Sequence, residues 1–182
     1  MYRIAYIELL VCWAVWWYPF LFRAQRVKGR KAAITARVAM WGLALECIAY
    51  FVAWFRVPSE MSAARIVIAM VLAAVGPVLG WWAVEHLGRQ FRIQAGLWPD
   101  HNLVCTGPYA VVRHPIYASM LAMLVATALL NTAWPFVALA VALFVAGTEI
   151  RVRTEDNLLA ARFGAAFEEY RRRVPAYLPP VR

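Results

Sequence analysis

Residues 66–87 read IVIAMVLAAVGPVLGWWAVEHL, an apolar run whose single carboxylate, Glu85, comes near its end. A helix needs about 20 such residues to cross the hydrocarbon core of a bilayer. Working outward, comparable segments lie at 4–22 and 34–55 before it, and at 116–130 and 134–150 after it. The last two are short and are separated only by Asn131-Thr132-Ala133. They read as a tight helical hairpin whose cytosolic ends unwind or extend into an aqueous site. No segment shows the ten-residue alternation of a barrel strand, and a helix satisfies its own backbone in lipid. The expected fold is an all-α integral membrane protein with about five transmembrane helices. No Gly-x-Gly-x-x-Gly follows a strand, so no Rossmann domain is expected.

Composition agrees. Of 182 residues, 64% are hydrophobic and 16% charged, with a mean hydropathy of +0.59. Soluble domains run near 45–50% and 25%, and a chain this small cannot hide the excess from water. Disorder, collagen and disulfide scaffolds are excluded by the same figures. Cys12, Cys47 and Cys105 are an odd number with no close pair, so neither a disulfide set nor a zinc site is read. The N-terminal run meets Trp13, Trp16, Trp17, Tyr18 and a proline where a small-residue cleavage site would sit, which is unlike a cleaved signal.

The net charge of +9 could suggest nucleic acid, but its placement points to lipid and topology. Arg23, Arg26, Lys28, Arg30, Lys31 and Arg37 fill the first connection, Arg89, Arg92 and Arg113 the third, and seven arginines the tail. Only Arg3, Arg56 and Arg65 fall on the other side. The positive-inside rule then puts the N-terminus outside and the C-terminus in the cytosol. Residues 1–87 read as a three-span scaffold. Residues 88–182, with a cofactor loop, the hairpin and a cytosolic tail, carry the chemistry, the whole forming one integrated domain. In the tail, a helix over 158–173 places Leu159, Phe163, Ala166, Phe167 and Tyr170 on one face. It would lie on the bilayer or cover a site.

Two polar clusters stand out. In the first, Gly107-Pro108 makes a turn and Pro115 suits a first helical position. His114 and Tyr117 then share a face at a helix N-terminus, where N–H groups and the dipole favour a carboxylate. Interfacial anchoring of these aromatics is the plainer alternative. The second cluster is Glu149-Ile150-Arg151-Val152-Arg153-Thr154-Glu155-Asp156. Arg151 and Glu155 are four apart, a surface ion pair or a cation-and-anion site. Glu46, Glu85 and Glu149 lie inside apolar segments, where ionisable groups are costly and mark function by default; the plainer alternatives are a hydrogen bond within the bundle for Glu46 and snorkelling to the cytosolic interface for Glu85. His86, His101 and His114 lack metal-ligand spacing, and no metal is expected.

At these residues the chain resembles the isoprenylcysteine carboxyl methyltransferases, membrane enzymes that use S-adenosylmethionine. The run is His101-x-Leu103-Val104-x-x-Gly107-x-Tyr109-Ala110-x-x-Arg113-His114-Pro115-x-Tyr117. It continues with Arg151-x-x-x-Glu155, Phe163-Gly164, Tyr170 and Arg173-Val174-Pro175. The resemblance implies a cofactor wall of Gln94, His101, Asn102, Leu103, Val104, Tyr109, His114, Pro115, Ile116 and Tyr117. It implies that Glu155 meets the cofactor's amino group and that Arg151 handles the substrate carboxylate, making these two the catalytic pair. Glu155-Asp156 stands where the family carries two glutamates, which leaves Asp156 without an assigned role.

The implied chemistry is self-consistent. A carboxylate nucleophile is ionised at pH 7 and needs no base. It needs orientation and charge matching, and Arg151 suits a bidentate grip. The expected acceptor is a lipid or a lipidated, prenylcysteine-like small molecule, with the membrane and no nucleic acid as partner. Two alternatives remain. A phospholipid N-methyltransferase of the phosphatidylethanolamine type would need a base, for which Glu149 and His114 are candidates. A non-enzymatic lipid-binding or scaffold protein would bind no S-adenosylmethionine.

Overall fold

The computed structural model describes residues 1–26, 34–57 and 59–177. Lys28, Arg30 and Lys31 of the first basic connection, and Pro179, Pro180 and Arg182 of the tail, lie outside the described residues. Six helices dominate: α1 (Tyr2–Arg26), α2 (Ala39–Trp54), α3 (Ala63–Leu87), α4 (Pro115–Asn131), α5 (Trp134–Phe163) and α6 (Ala165–Arg173). A two-residue antiparallel bridge joins β1 (Ile34–Thr35) to β2 (Gly96–Leu97).

Local sequence explains the boundaries. Ser62 caps α3 by accepting from the Arg65 N–H at 3.2 Å. Pro115 and Pro135 open α4 and α5, where no N–H is needed. Gly88 and Gly164 close α3 and α5 at φ +50 and +54, a left-handed conformation that favours glycine.

Three helices are long and apolar enough to cross a membrane: Tyr2–Phe22, Ala63–Gln90 and Trp134–Phe163. α2 and α4 are apolar but shorter. The second segment starts at Ala39 rather than 34, because Ile34 and Thr35 pair with Gly96 and Leu97. The fifth does not stop at 150. It runs on as helix through the whole polar cluster to Phe163. The tail is correspondingly not one helix over 158–173, since Gly164 breaks it into the end of α5 and a separate α6.

Packing is inside out relative to a water-soluble bundle. Large side chains such as Trp41, Phe51 and Val78 face outward, while Ala49, Ala53, Ala69, Ala73, Ala126 and Ala140 are buried. Apolar exterior and small interior residues suit helices in lipid, where close approach replaces the hydrophobic drive. α1 packs on α3, α3 on α4, and α2 along α5. Polar groups stitch the helices together. Trp13 Nε1 donates to Thr127 Oγ1 at 3.0 Å and Tyr50 Oη to the Met120 carbonyl at 2.8 Å. Arg65 is buried, donates to the carbonyls of Leu129 and Thr132, and sits 5.1 Å from the Trp134 ring. It thereby pins the α4–α5 turn.

Candidate functional site

A cavity of about 260 Å³ lies between the C-terminal part of α1, the segment after α3, the N-terminal end of α4, the second half of α5 and α6. Gln94, His101, Asn102, Leu103, Val104, Tyr109, His114, Ile116, Tyr117, Arg151 and Glu155 all line it. Pro115 does not line it and is buried as the first residue of α4. The two clusters, far apart in sequence, therefore border one space. The extension of α5 is what brings the second cluster there.

Tyr117 of α4 links the two clusters across the cavity. Its hydroxyl donates to Glu155 Oε1 at 2.6 Å, and the Arg151 guanidinium lies 5.1 Å from its ring centroid. One aromatic thus touches an anion through its edge oxygen and a cation through its face. Arg151 and Glu155 do not form the i,i+4 pair that their spacing allows. Arg151 turns instead to Glu46 of α2, Nη1 to Oε2 at 2.8 Å, and gives Nη2 to the Ile93 carbonyl at 3.1 Å.

Glu155 is backed by a four-membered ionic network. His114 Nδ1 lies 3.4 Å from Glu155 Oε2, and His114 Nε2 lies 2.9 Å from Asp156 Oδ1. Arg113 Nη2 meets Asp156 Oδ2 at 2.8 Å. The Glu155 side chain is 26% exposed against 9% for Asp156, so the first faces the cavity and the second stands behind. Burial works against a charged imidazole, but the carboxylates of Asp156 and Glu155 outweigh it and hold the His114 pKa up at about 9. Both ring nitrogens then carry protons and donate.

His101 is the opposite case. Burial and the nearby Arg92 guanidinium push its pKa below the ordinary value, and its buried Nδ1 has no partner. Gln90 Oε1, on the same wall, is also unpartnered.

The start of α4 offers less backbone than its position suggested. The N–H groups of Arg113 and His114 are taken by the carbonyls of Pro175 and Ala176, each at 2.8 Å. The segment after α6 covers this corner, and Tyr170 Oη anchors α6 on the Tyr109 carbonyl at 2.6 Å.

Sequence reasoning did not find Trp16, Trp17, Phe20 and Leu43, which supply the apolar wall from the first half of the chain. They carry no local signal that separates them from other residues of a span. Glu149 lies off the cavity, tied to Arg153 at 2.7 Å and accepting from the Tyr177 hydroxyl at 3.0 Å. Glu85 is exposed, and Glu46 is 1% exposed. Among the described residues no group of three or more His, Cys, Asp or Glu side chains could hold a metal ion.

The model of the isoprenylcysteine carboxyl methyltransferase family matches residues 66–161, more than half of the chain. A nickel-cobalt-cadmium resistance protein of Alcaligenes xylosoxydans xylosoxydans is 30% identical over 122 residues, 65% of this chain and 52% of the relative. A cobalt-zinc-cadmium resistance protein of Cupriavidus metallidurans is 32% identical over 108 residues, 59% and 44% of the two chains. A protein-S-isoprenylcysteine O-methyltransferase of Schizosaccharomyces pombe is 34% identical over 115 residues, 62% and 49%. The chain spans about half the length of these curated relatives.

Proposed function

Since this chain belongs to the isoprenylcysteine carboxyl methyltransferase family, we propose that it methylates the carboxylate of a lipidated, prenylcysteine-like acceptor with S-adenosylmethionine at the cytosolic membrane face. The observation that carries this reading is the meeting of residues 101–117 and 151–155 around one cavity.

The residues present fit the cofactor. Its ammonium matches the Glu155 carboxylate, which reaches the cavity while His114 and Tyr117 hold both its oxygens. The orphaned Gln90 Oε1 and His101 Nδ1 suit a polar heterocycle, and the apolar walls suit the remainder. When bound, S-adenosylmethionine supplies a methyl group made electrophilic by its sulfonium. Arg151 receives and orients the acceptor carboxylate, which is already ionised. The Tyr117 ring keeps Arg151 beside Glu155, so acceptor and donor are held by one helix a single turn apart. The apolar side of Trp16, Trp17, Phe20 and Leu43 takes the lipid portion and excludes water.

Amine methylation has weaker support. Of its two candidate bases, Glu149 is off the cavity, and His114 keeps its proton to about pH 9. The two shorter helices complete a five-span arrangement, and the basic residues favour an outside N-terminus, a cytosolic C-terminus and a cytosolic site. In this division residues 1–87 support the site and 88–182 supply most of its polar groups.

S-adenosylmethionine titrated into the purified protein in detergent tests the site, and N-acetyl-S-farnesylcysteine tests the acceptor. Glu155→Ala and Tyr117→Ala are expected to weaken cofactor binding at least tenfold. Arg151→Ala is expected to keep binding within about twofold and lose about a hundred- to a thousandfold in turnover. Unchanged cofactor affinity in the first two variants, or methyl acceptance by an aminophospholipid alone, overturns the assignment.

A further inference from the structure

Glu46 belongs to neither polar cluster, yet it is the most deeply buried carboxylate among the described residues, at 1% exposure. A lone carboxylate so placed is costly and demands partners. It has two, both on α5 and a turn apart. Thr148 Oγ1 donates to Oε1 at 3.1 Å and Arg151 Nη1 donates to Oε2 at 2.8 Å. The seam between α2 and α5 is built to allow this. Gly42 stands four residues before Glu46, and Gly147 four before Arg151. A Cβ on Gly42 would fall 2.5 Å from the Gly147 carbonyl oxygen and 2.6 Å from Arg151 Cγ, and one on Gly147 would fall 2.6 Å from the Gly42 carbonyl. Only two glycines let the backbones approach this closely. The Arg151 stem passes over one of them, and its guanidinium is delivered to Glu46 at one end and to the Tyr117 face at the other.

This grip leaves Arg151 incomplete. Only two of its five N–H donors are used, one each on Nη1 and Nη2, and the buried Nε–H has no partner. An unpartnered Nε does not by itself mark a ligand site, since Arg113 has one too. Arg151, fixed by Glu46 and Ile93, lines the cavity with donors to spare, so it can serve an acceptor that is not part of the protein.

We infer that Glu46 is the positioning residue for methyl acceptance, holding Arg151 so that its free donors meet the acceptor carboxylate. The inference rests on the methyl-transfer reading above. Glu46 touches neither acceptor nor cofactor and acts through Arg151. Its loss therefore affects the acceptor and spares the cofactor, a split that general loss of structure does not produce.

The test uses the full chain in detergent, with single-turnover methylation of N-acetyl-S-farnesylcysteine and S-adenosylmethionine binding measured on the same samples. Glu46→Gln is expected to lower the acceptor's kcat/KM about a hundredfold, as misplacement by about 1 Å does, with cofactor affinity within twofold. Glu46→Asp keeps the charge and serves if the Gln variant does not fold, with a loss of at least tenfold expected. Added to Arg151→Gln, Glu46→Gln is expected to cost less than a further threefold. Wild-type turnover in both Glu46 variants overturns the inference, as does full additivity with Arg151→Gln or an equal loss of cofactor binding. A wild-type protein that binds S-adenosylmethionine but methylates no carboxylate overturns the functional reading itself, and the positioning role with it.

Discussion

Two buried ionic assemblies flank Tyr117, and they are built differently. On the α4 side, Arg113, His114, Glu155 and Asp156 form a closed set of two cations and two anions, further tied to the segment after α6. On the α2 side, Glu46 and Arg151 form a single pair whose position depends on the close approach of two helices. A network shares its charge among several mutually reinforcing hydrogen bonds and is rigid when every member is present. A lone buried pair rests on one contact, and removing one partner leaves the other charged and unsatisfied. The difference assigns separate duties: the network holds a carboxylate ready at the cavity, whereas the pair sets the angle of one guanidinium.

The seam is the place to break this contrast most severely. Gly147→Val puts branched carbon where a Cβ alone lies 2.6 Å from the Gly42 carbonyl oxygen and 3.0 Å from Leu45 Cβ. The helices must separate, at a cost of roughly 1–3 kcal/mol or more for overpacking. A fall in thermal midpoint of several degrees is expected, together with loss of acceptor turnover. Cofactor binding, which the proposed site assigns to the other assembly, is expected to decline less than turnover. A variant that keeps wild-type turnover at a lowered midpoint would separate the seam from the site.

The network is probed more gently through pH. His114 rises from 6.5 to about 9 in the folded protein. Its contribution to stability is therefore complete below about pH 6.5 and is lost as pH rises through about 9, when the ring gives up the proton it shares with Glu155 and Asp156. The linked free energy is on the order of 3 kcal/mol. The wild-type midpoint is expected to fall between pH 7 and 9.5 more steeply than that of His114→Asn. Parallel curves for the two proteins would show that the imidazole is neutral in the fold.

The same contrast explains what could be read in advance. The network lies between positions 113 and 156, within two motifs of fixed spacing, and the helical face shared by His114 and Tyr117 follows from three-residue separation alone. Glu46 was visible only as an in-span carboxylate. Its partner is 105 residues away, and no local periodicity joins the two. The run of α5 beyond its apolar segment, one of the two readings left open for the hairpin's cytosolic ends, has a related cause. Polar residues after 150 looked like an exit from the membrane, but Arg151 and Asp156 turn inward to Glu46, Arg113 and His114, so the helix continues. Gly164 carries the glycine signal that favours a left-handed cap, but the amphipathic pattern on both sides of it masks the break, so the pattern alone reads as one helix over 158–173.

The smallest expected effect completes the comparison. Glu149 and Arg153 are an i,i+4 pair on the same helix as Arg151 and Glu155, with a 2.7 Å contact as short as the buried ones. Their side chains are 37% and 75% exposed. In water such a pair gains little from Coulomb attraction and spends side-chain freedom to form, so it contributes about 0–1 kcal/mol. Arg153→Ala is therefore expected to leave the thermal midpoint and acceptor turnover close to wild type, although it removes a cation only two residues from Arg151. The check is the same single-turnover assay, run in parallel with Arg151→Ala. A large loss from Arg153→Ala would mean that charge near the end of α5 matters in bulk. A negligible one locates the requirement in the guanidinium that Glu46 holds against the Tyr117 ring, where burial rather than contact distance separates a working ion pair from an idle one.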